Sequence, residues 1–361
     1  MMSFGVRFRA SIFGSSHGPE VGVAIEGIPS GTPIDLPGIQ AQLNRRRPVG
    51  RRLATKRQEE DRLIVDAGWV AGRSDGSTFR AHVANEDVRR GPYEQTRDTP
   101  RPGHADFPAR VRYGESADLS GGGIFSGRMT VGLVIAGSIG RQMLAVRGID
   151  VVGYTRSIGP VDAEVPEGLD VPRLRALSLE NEVGTPDPVA AERMERAIGD
   201  ARRAGDSLGG VVEVRADGLP VGLGEPFFDS IESAIAHVAF AVPAVKGVEF
   251  GAGFRAARMR GSEHNDPFVW EDGVVRTQTN HAGGILGGLA SGMPVIFRAV
   301  VKPTSSIARP QQTVDLAART PATLGVTGRH DPCIVPRAVV VLESVAAMAI
   351  TDLALRGGYL P

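Results

Sequence analysis

The chain has 361 residues, 42% of them hydrophobic and 23% charged, which is enough apolar material to bury a large core. Its 41 basic and 41 acidic residues cancel, which excludes global steering toward nucleic acid or an acidic membrane and leaves any basic function to local clusters. The one cysteine, Cys333, can form neither an internal disulfide nor a thiolate zinc site and points to a reducing cytoplasm; residues 1–17 lack an apolar signal core, and no apolar run is expected to approach a membrane span.

In chain order, residues 21–25 read as a strand running into a Gly-Ile-Pro-Ser-Gly turn. Residues 36–47 predict a helix with Asp35 as N-cap and Pro37 in its first turn. Over residues 128–146, Met129, Leu133, Ala136, Gly140, Met143 and Leu144 recur near the 3.6 period of a buried helix, and residues 149–158 then alternate as a strand. The clearest amphipathic helix spans 188–204. Val189, Met194, Ala197, Ile198 and Ala201 form its expected inner face, and Glu192, Arg193, Glu195, Arg196, Arg202 and Arg203 its outer one. It leads through Gly205-Asp206 into a strand at 211–214. The same cassette recurs as a helix over 229–241, ended by Pro243, and a strand over 245–250. Residues 294–301 form an apolar strand that delivers Lys302-Pro303-Thr304, and a third cassette is expected to begin with the long apolar helix 336–355.

Helices apolar on most faces belong in the middle of a structure, covered by sheets. No phosphate-binding glycine fingerprint follows a first strand, so a Rossmann domain is not predicted. The expectation is one α+β domain over residues 1–361, without a disordered linker. Three long polar loops, 45–62, 100–127 and 305–333, are expected to carry function, because structureless loops of that length seldom serve only as connections.

Three constellations carry chemistry. The first is basic: Arg45, Arg46, Arg47, Arg51, Arg52, Lys56, Arg57 and Arg62, opposed by Glu59, Glu60 and Asp61. A solvated charged face or a nucleic-acid patch would use the same residues, but no aromatics interleave and the chain is neutral. Arginine suits a bidentate grip on phosphate and carboxylate, and Arg101, Arg128 and Arg329 could converge on the same polyanion. The second is histidine-centred: of seven histidines, His17, His104 and His330 sit in Gly/Pro-rich loops, two of them with arginines within three positions. Such a group can deliver a proton to a departing phosphate. Helical i, i+4 spacing and a thiolate partner are both missing, so no metal is expected. The third joins the glycines at 283–284 and 287–288 to Lys302-Pro303-Thr304-Ser305-Ser306. With the glycines at 121–123 and 209–210, these fit tight turns or a backbone brought close to a large flat or phosphorylated ligand. No Walker pattern accompanies them.

Taken in order, these segments resemble the chorismate synthases. The loop at His17 is similar to their Gly-Glu-Ser-His-Gly loop. The likeness continues through Arg45-Arg46-Arg47-Pro48, Arg101-Pro102-Gly103-His104-Ala105-Asp106, Gly121-Gly122-Gly123 and Asp206-Ser207-Leu208-Gly209-Gly210. It then takes in Pro243-Ala244-Val245-Lys246-Gly247, Gly261-Ser262-Glu263-His264-Asn265-Asp266, Lys302-Pro303-Thr304 and Gly328-Arg329-His330-Asp331-Pro332-Cys333. The resemblance implies a fold with a helical layer between two antiparallel sheets, assembled as a homotetramer. It implies reduced FMN as cofactor, without net redox change, and elimination of phosphate from 5-enolpyruvylshikimate 3-phosphate in the shikimate pathway. Neither nucleic acid nor membrane is implied as a partner. Substrate anchors would be Ser16, Arg46, Arg52, Arg101, Ser126, Arg128 and Arg329. His17 would be the acid for the departing phosphate, His104 would manage the proton of the reduced flavin, and Asp331 would partner flavin N5. Flavin contacts would fall on Ser126, Pro243, Ala244, Gly287, Lys302, Pro303, Thr304, Ser305, Ser306 and Arg329. Some members reduce flavin with NADPH themselves; here, with no dinucleotide fingerprint or long insertion, an external reductant is expected. The pattern departs from the family at Ser15, Val49, Ile124-Phe125 and His281, and the change at Ile124 removes a polar contact expected near the flavin.

Overall fold

A computed structural model describes residues 2–47, 60–86, 97–114, 120–166, 168–326 and 331–361. The N-terminal part contributes β1 (Ser3–Phe4), β2 (Arg9–Gly14), β3 (Glu20–Glu26), α1 (Leu36–Arg46) and β4 (Ile64–Ala67). A small hairpin of β5 (Trp69–Val70) and β6 (Arg73–Ser74) follows, then β7 (Phe79–Ala84), α2 (Asp106–Tyr113) and α3 (Thr130–Ala145). Next come β8 (Asp150–Ile158), β9 (Val161–Asp162), α4 (Val171–Ser178), α5 (Pro188–Arg203), β10 (Gly210–Asp217), α6 (Ile231–Ala241) and β11 (Val245–Phe250). The short α7 (Gly261–His264) precedes two small hairpins, β12–β13 (Phe268–Glu271, Val274–Thr277) and β14–β15 (Ile285–Leu286, Leu289–Ala290), and then the strand β16 (Val295–Val301). A last hairpin, β17–β18 (Gln311–Asp315, Thr320–Leu324), leads to α8 (Val335–Arg356).

Two five-stranded sheets result, ordered β1-β2-β3-β7-β4 and β11-β16-β10-β8-β9, each antiparallel throughout. The α3 helix lies against β2, β3 and β7 of the first sheet, while α8 lies against β8, β10 and β16 of the second. The two helices pack on each other, so the order is sheet, helix, helix, sheet. This explains why both helices are apolar on most faces: each has a sheet on one side and a helix on the other. Every residue of α8 from Ala338 to Leu355 is buried. By length and composition α8 could cross a membrane, contrary to the expectation that no apolar run approaches a span, but its apolar window is wholly enclosed by the protein.

Close approach of α3 and α8 rests on small residues. A β-carbon on Gly137 would collide with the side chain and carbonyl of Ser344, and one on Gly140 would stand 2.8 Å from Thr351 Oγ1. The two acids inside α8 are both satisfied. Asp352 Oδ1 accepts the backbone N–H groups of Val6, Arg7 and Phe8 at 2.8, 2.7 and 2.9 Å, which ties the N-terminal segment to the core. Glu343 accepts Arg45 Nη1 at 3.2 Å and the Gly153 N–H at 3.1 Å, and Arg141 also donates to it.

Several expectations need correction. Val189 points to solvent, because the inner face of α5 is formed by Ala190, Ala191, Met194 and Ile198. The third cassette is incomplete, since no described strand follows α8. The helix expected over 128–146 begins at Thr130, after the 3₁₀ turn Gly127–Met129. The long loops are not structureless: α2 lies in one and the β17–β18 hairpin in another.

Gly137→Ala should destabilise the protein by about 1–3 kcal/mol, the usual cost of overpacking a helix contact that has no room. Urea denaturation of the variant measures this, and unchanged stability would mean that the two helices can separate freely.

Candidate active site

The turn that enters β3 carries Ser16 and His17, both buried. Asn85, just past β7, holds this turn: its Nδ2 donates to the carbonyls of Ser15 at 3.0 Å and Gly18 at 2.8 Å. Asn85 Oδ1 in turn accepts Arg128 Nε at 2.9 Å. Arg128 belongs to the 3₁₀ turn that opens α3, and Arg46 to the last turn of α1. Both guanidinium groups donate to Asp61, one to each carboxylate oxygen, and all three side chains are buried.

Burial works against the Asp61 charge, but the Arg46 and Arg128 charges and hydrogen bonds outweigh it and hold its carboxyl below the usual range. Burial also pushes the Arg46 guanidinium down to about 10; Asp61 opposes this while Arg337 and Arg128 add to it. Arg46 therefore stays cationic at neutral pH. Ser16 Oγ and Arg46 Nε are buried without a hydrogen-bond partner among the described residues. Buried polar atoms are rarely left so, and these two fit a ligand that brings oxygen acceptors.

Gly121, Gly122 and Gly123 have φ of 59°, 91° and 51°, a left-handed run that side chains would oppose. A β-carbon on Gly121 would fall within the His17 ring, and one on Gly122 would stand 3.4 Å from His104 Nε2. One stretch of bare backbone thus brings the two imidazoles to the same place. Ser126 follows, its Oγ accepting the Arg128 N–H at 3.2 Å. His104 Nδ1 lies 2.6 Å from Asp106 Oδ1. The other Asp106 oxygen accepts Arg101 Nε at 2.7 Å, and Arg101 Nη1 reaches Ser306 Oγ at 3.1 Å. Burial opposes the Asp106 charge, yet hydrogen bonds from Arg101 and His104, with their charges, hold its carboxyl far below the ordinary range.

The segment after β16 completes the arrangement. Lys302 Nζ donates to the Gly103 carbonyl at 3.0 Å and to Ser305 Oγ at 2.7 Å. Burial, helped by Lys246, lowers the Lys302 ammonium from its ordinary value. The Lys302 N–H donates to the Ala244 carbonyl at 2.9 Å. Ala244, next to Pro243, has φ of 74°, a left-handed conformation costly for alanine and of the kind that collects at ligand sites. Beyond Pro303, Thr304 Oγ1 donates to the Asp331 carbonyl at 3.0 Å. The Asp331 carboxylate accepts Arg337 Nη1 at 2.5 Å, and Arg337 Nε donates to the Arg46 carbonyl at 3.0 Å. The contacts therefore close into a ring, from His17 through His104, Arg101, Asp331 and Arg46 back to the turn at His17.

Gly287 stands apart within the chain. It turns the β14–β15 hairpin beside the N-terminal end of α6, whereas Pro243 and Ala244 follow the C-terminal end of that helix. Arg52, Arg329 and His330 lie outside the described residues. Ile124 is exposed and Phe125 stacks on Tyr113 with centroids 6.1 Å apart, so this departure from the family pattern fills space beside α2. Burial pushes the Cys333 thiol up to about 12, which makes it no nucleophile. Asp61, Asn85, Asp106 and Arg337 were assigned no role from the sequence. Asp61 looked like a counter-charge in a basic run, and Asp106 lay unremarked within the motif that carries His104.

The sequence profile of the chorismate synthase family matches residues 8–355. A chorismate synthase of Dehalococcoides mccartyi is 45% identical over 359 residues, covering 99% of this chain and 98% of the relative. One from Korarchaeum cryptofilum is 48% identical over 353 residues, covering 98% and 97%. A crystal structure of chorismate synthase superposes with a TM-score of 0.77 at 26% identity, covering 98% of this chain and 93% of that one.

Asp61→Ala should cost about 3–5 kcal/mol, because it leaves two buried guanidinium groups without their carboxylate. Since Asp61 and Asp106 both have depressed folded values, their contribution is present above about pH 4 and is lost as the pH falls further. Denaturation of Asp106→Asn between about pH 5 and 3 should accordingly show a shallower loss than wild type; an identical slope would remove Asp106 from the acid response.

Proposed function

The chain belongs to the chorismate synthase family, enzymes of the shikimate pathway, and from that premise we propose that the contact ring binds 5-enolpyruvylshikimate 3-phosphate together with reduced FMN. The reaction is a carbon–oxygen lysis: phosphate leaves and chorismate forms. The observation that carries the assignment to this ring is the glycine run 121–123, against which both His17 and His104 pack, with Arg101 at 3.1 Å from His104 and with Arg128, paired like Arg46 to Asp61, joined to the His17 turn through Asn85. We take residues 1–361 as one functional unit, because the ring draws on loops from the whole chain.

Each group has a task. Arg46, Arg101 and Arg128 hold the substrate's phosphate and carboxylates, with Ser16 and Ser126 as hydroxyl partners and Arg52 and Arg329 completing the grip. Guanidinium groups already fixed by carboxylates do not reorganise when charge develops on the leaving phosphate, which is the condition for electrostatic stabilisation. His17 donates the proton that the phosphate needs on departure. Pro243, Ala244, Lys302, Pro303, Thr304, Ser305 and Ser306, with Ser126 and Arg329, hold the flavin, and Gly287, which stands apart within the chain, joins them from a neighbouring copy in the tetramer. The strained Ala244 backbone and the Lys302 ammonium beside Ser305 are the features that fit it. When bound, reduced FMN supplies transient electron density to a substrate whose hydrogen no ordinary base removes easily. His104, oriented by Asp106, and Asp331 hold protons on the flavin side. Reductant comes from outside the chain, and the protein works in the cytoplasm.

The assembly is a homotetramer. Phe228 is 93% exposed and Trp270 77%, within a set of bare aromatics that includes Phe227, Phe254 and Phe268. Apolar surface of that kind marks contact between chains. Light scattering at micromolar concentration should report four chains, and a monomer would overturn the reading.

Chorismate should form when the protein is mixed anaerobically with photoreduced FMN and the phosphorylated substrate. His17→Ala and His104→Ala should each lower kcat by about a hundredfold or more with the fold intact, and Arg46→Lys should mainly raise KM. Wild-type turnover in both histidine variants would remove their roles.

A further inference from the structure

We propose that Arg337 is a positioning residue: it locks the Asp331 segment to the last turn of α1 and so fixes Asp331 and Arg46 relative to each other. The inference deepens the reading of the site above and rests on it.

Arg337 lies in the first turn of α8, six residues after Asp331. Its two bonds go to neighbouring members of the ring, the Asp331 segment and the last turn of α1. Nη1 donates to the Asp331 carboxylate at 2.5 Å, and Nε to the Arg46 carbonyl at 3.0 Å. A guanidinium is suited to this because its donors are held in one rigid plane, so the distance between two acceptors is set by the group itself. The carbonyl it takes is one of those that a helix end leaves without an intrahelical partner. Satisfying it pins the last turn of α1 at the residue whose side chain reaches Asp61.

A second tie makes this turn a rigid reference. Arg45, the preceding residue, donates to Glu343 of the same helix α8, with Nη1 at 3.2 Å from Oε1 and Nη2 at 3.2 Å from Oε2. Burial opposes the Glu343 charge, but Arg141 and Arg45 hold its carboxyl down to about 2, so the tie is charged at any working pH. With Arg45 fixed to Glu343, the turn cannot follow Asp331 if the Arg337 bridge is lost. The Asp331 segment keeps its backbone ties, Thr304 Oγ1 to the Asp331 carbonyl and the Leu208 N–H to the Pro332 carbonyl at 2.8 Å, so the alignment lost is that of the Asp331 carboxylate. The prediction is a loss of alignment between flavin-side and substrate-side groups; Arg337 is partly exposed but Asp331 is buried, so removing Arg337 also takes a charge partner from Asp331, a stability cost that urea denaturation reads separately from kcat and KM.

The test is a cycle of Arg337→Met, Asp331→Asn and the double variant, read as kcat and KM with urea denaturation alongside. Supporting residues of this kind typically contribute about tenfold to a hundredfold. Arg337→Met should lower kcat about tenfold and raise KM for the substrate. In the Asp331→Asn background its further effect on kcat should be under about twofold, because the group it acts through is already disabled. Arg337→Lys retains a cation for Asp331 but cannot span both acceptors, so it should recover most of kcat while KM stays raised; it also carries the test should the methionine variant fail to fold. Independent, multiplying effects on kcat, or wild-type constants in Arg337→Met, overturn the proposal. Asp331→Asn at the wild-type rate instead removes the Asp331 assignment and the kcat half of the coupling, leaving KM of Arg337→Met to decide the Arg46 half.

Discussion

The site depends on one buried carboxylate shared by two buried guanidinium groups. Moving an isolated guanidinium out of water is expensive, and two of them close together would repel. Asp61 removes both difficulties, giving one oxygen to Arg46 and one to Arg128. The three residues lie far apart in the chain, and each sits at the end of an element: the last turn of α1, the approach to β4, the turn that opens α3. Element ends can place a side chain without disturbing the ladder behind it. The device recurs: Asp106 serves Arg101 and His104, Asp331 serves Arg337, and Glu343 serves Arg45 and Arg141. A chain with no net charge can therefore build a site rich in arginine, because each arginine is folded together with its acid.

The α8 helix supplies the frame for these pairs. Its apolar surface lies between α3 and the second sheet, and Gly137 and Gly140 let α3 approach it closely. A helix so enclosed has few ways to shift, since close-packed interiors leave no slack. Two of its side chains then project the frame into the site, Glu343 to Arg45 and Arg337 to the carbonyl of Arg46. The core thus sets the position of α1's last turn, and through Asp61 that of Arg128.

Most of the middle layer was legible in the sequence because its signals are periodic and local. The apolar repeats over 128–146 and 336–355 read as helices apolar on most faces, and α6 with β11 and α5 with β10 showed in amphipathic pattern and glycine punctuation. The first sheet was mostly hidden. β1 has two residues, and β2 shows no alternation; β7 does alternate, Phe79, Ala81 and Val83 against Arg80 and His82, but it is short and follows a polar stretch that hides it. Val189 misled for a related reason: at the first turn of α5 the apolar stripe had too few neighbours to define its direction. In the site, residues within distinctive glycine- and proline-rich motifs were found, while Asn85 and Asp61 were missed. Their importance comes from what they touch, Asn85 reaching the turn at Ser15 and Asp61 reaching Arg128, and such partners 67 or 70 positions away leave no mark in local sequence.

Pairing each arginine with a resident acid has a consequence for chemistry as well as for folding. A guanidinium already bonded to a carboxylate binds a further anion less strongly than a bare one, so the ground-state hold on a phosphorylated dicarboxylate is moderated. What survives is geometry, since in the proposed site donors fixed by Asp61 and Asp106 would meet a ligand without rearranging. Interactions of this kind gain most when charge concentrates on a departing group, because that is when a preoriented dipole or cation outperforms water. An elimination in which negative charge gathers on the departing phosphate, with a proton from His17 as proposed, is the reaction for which that distribution of binding energy is suited.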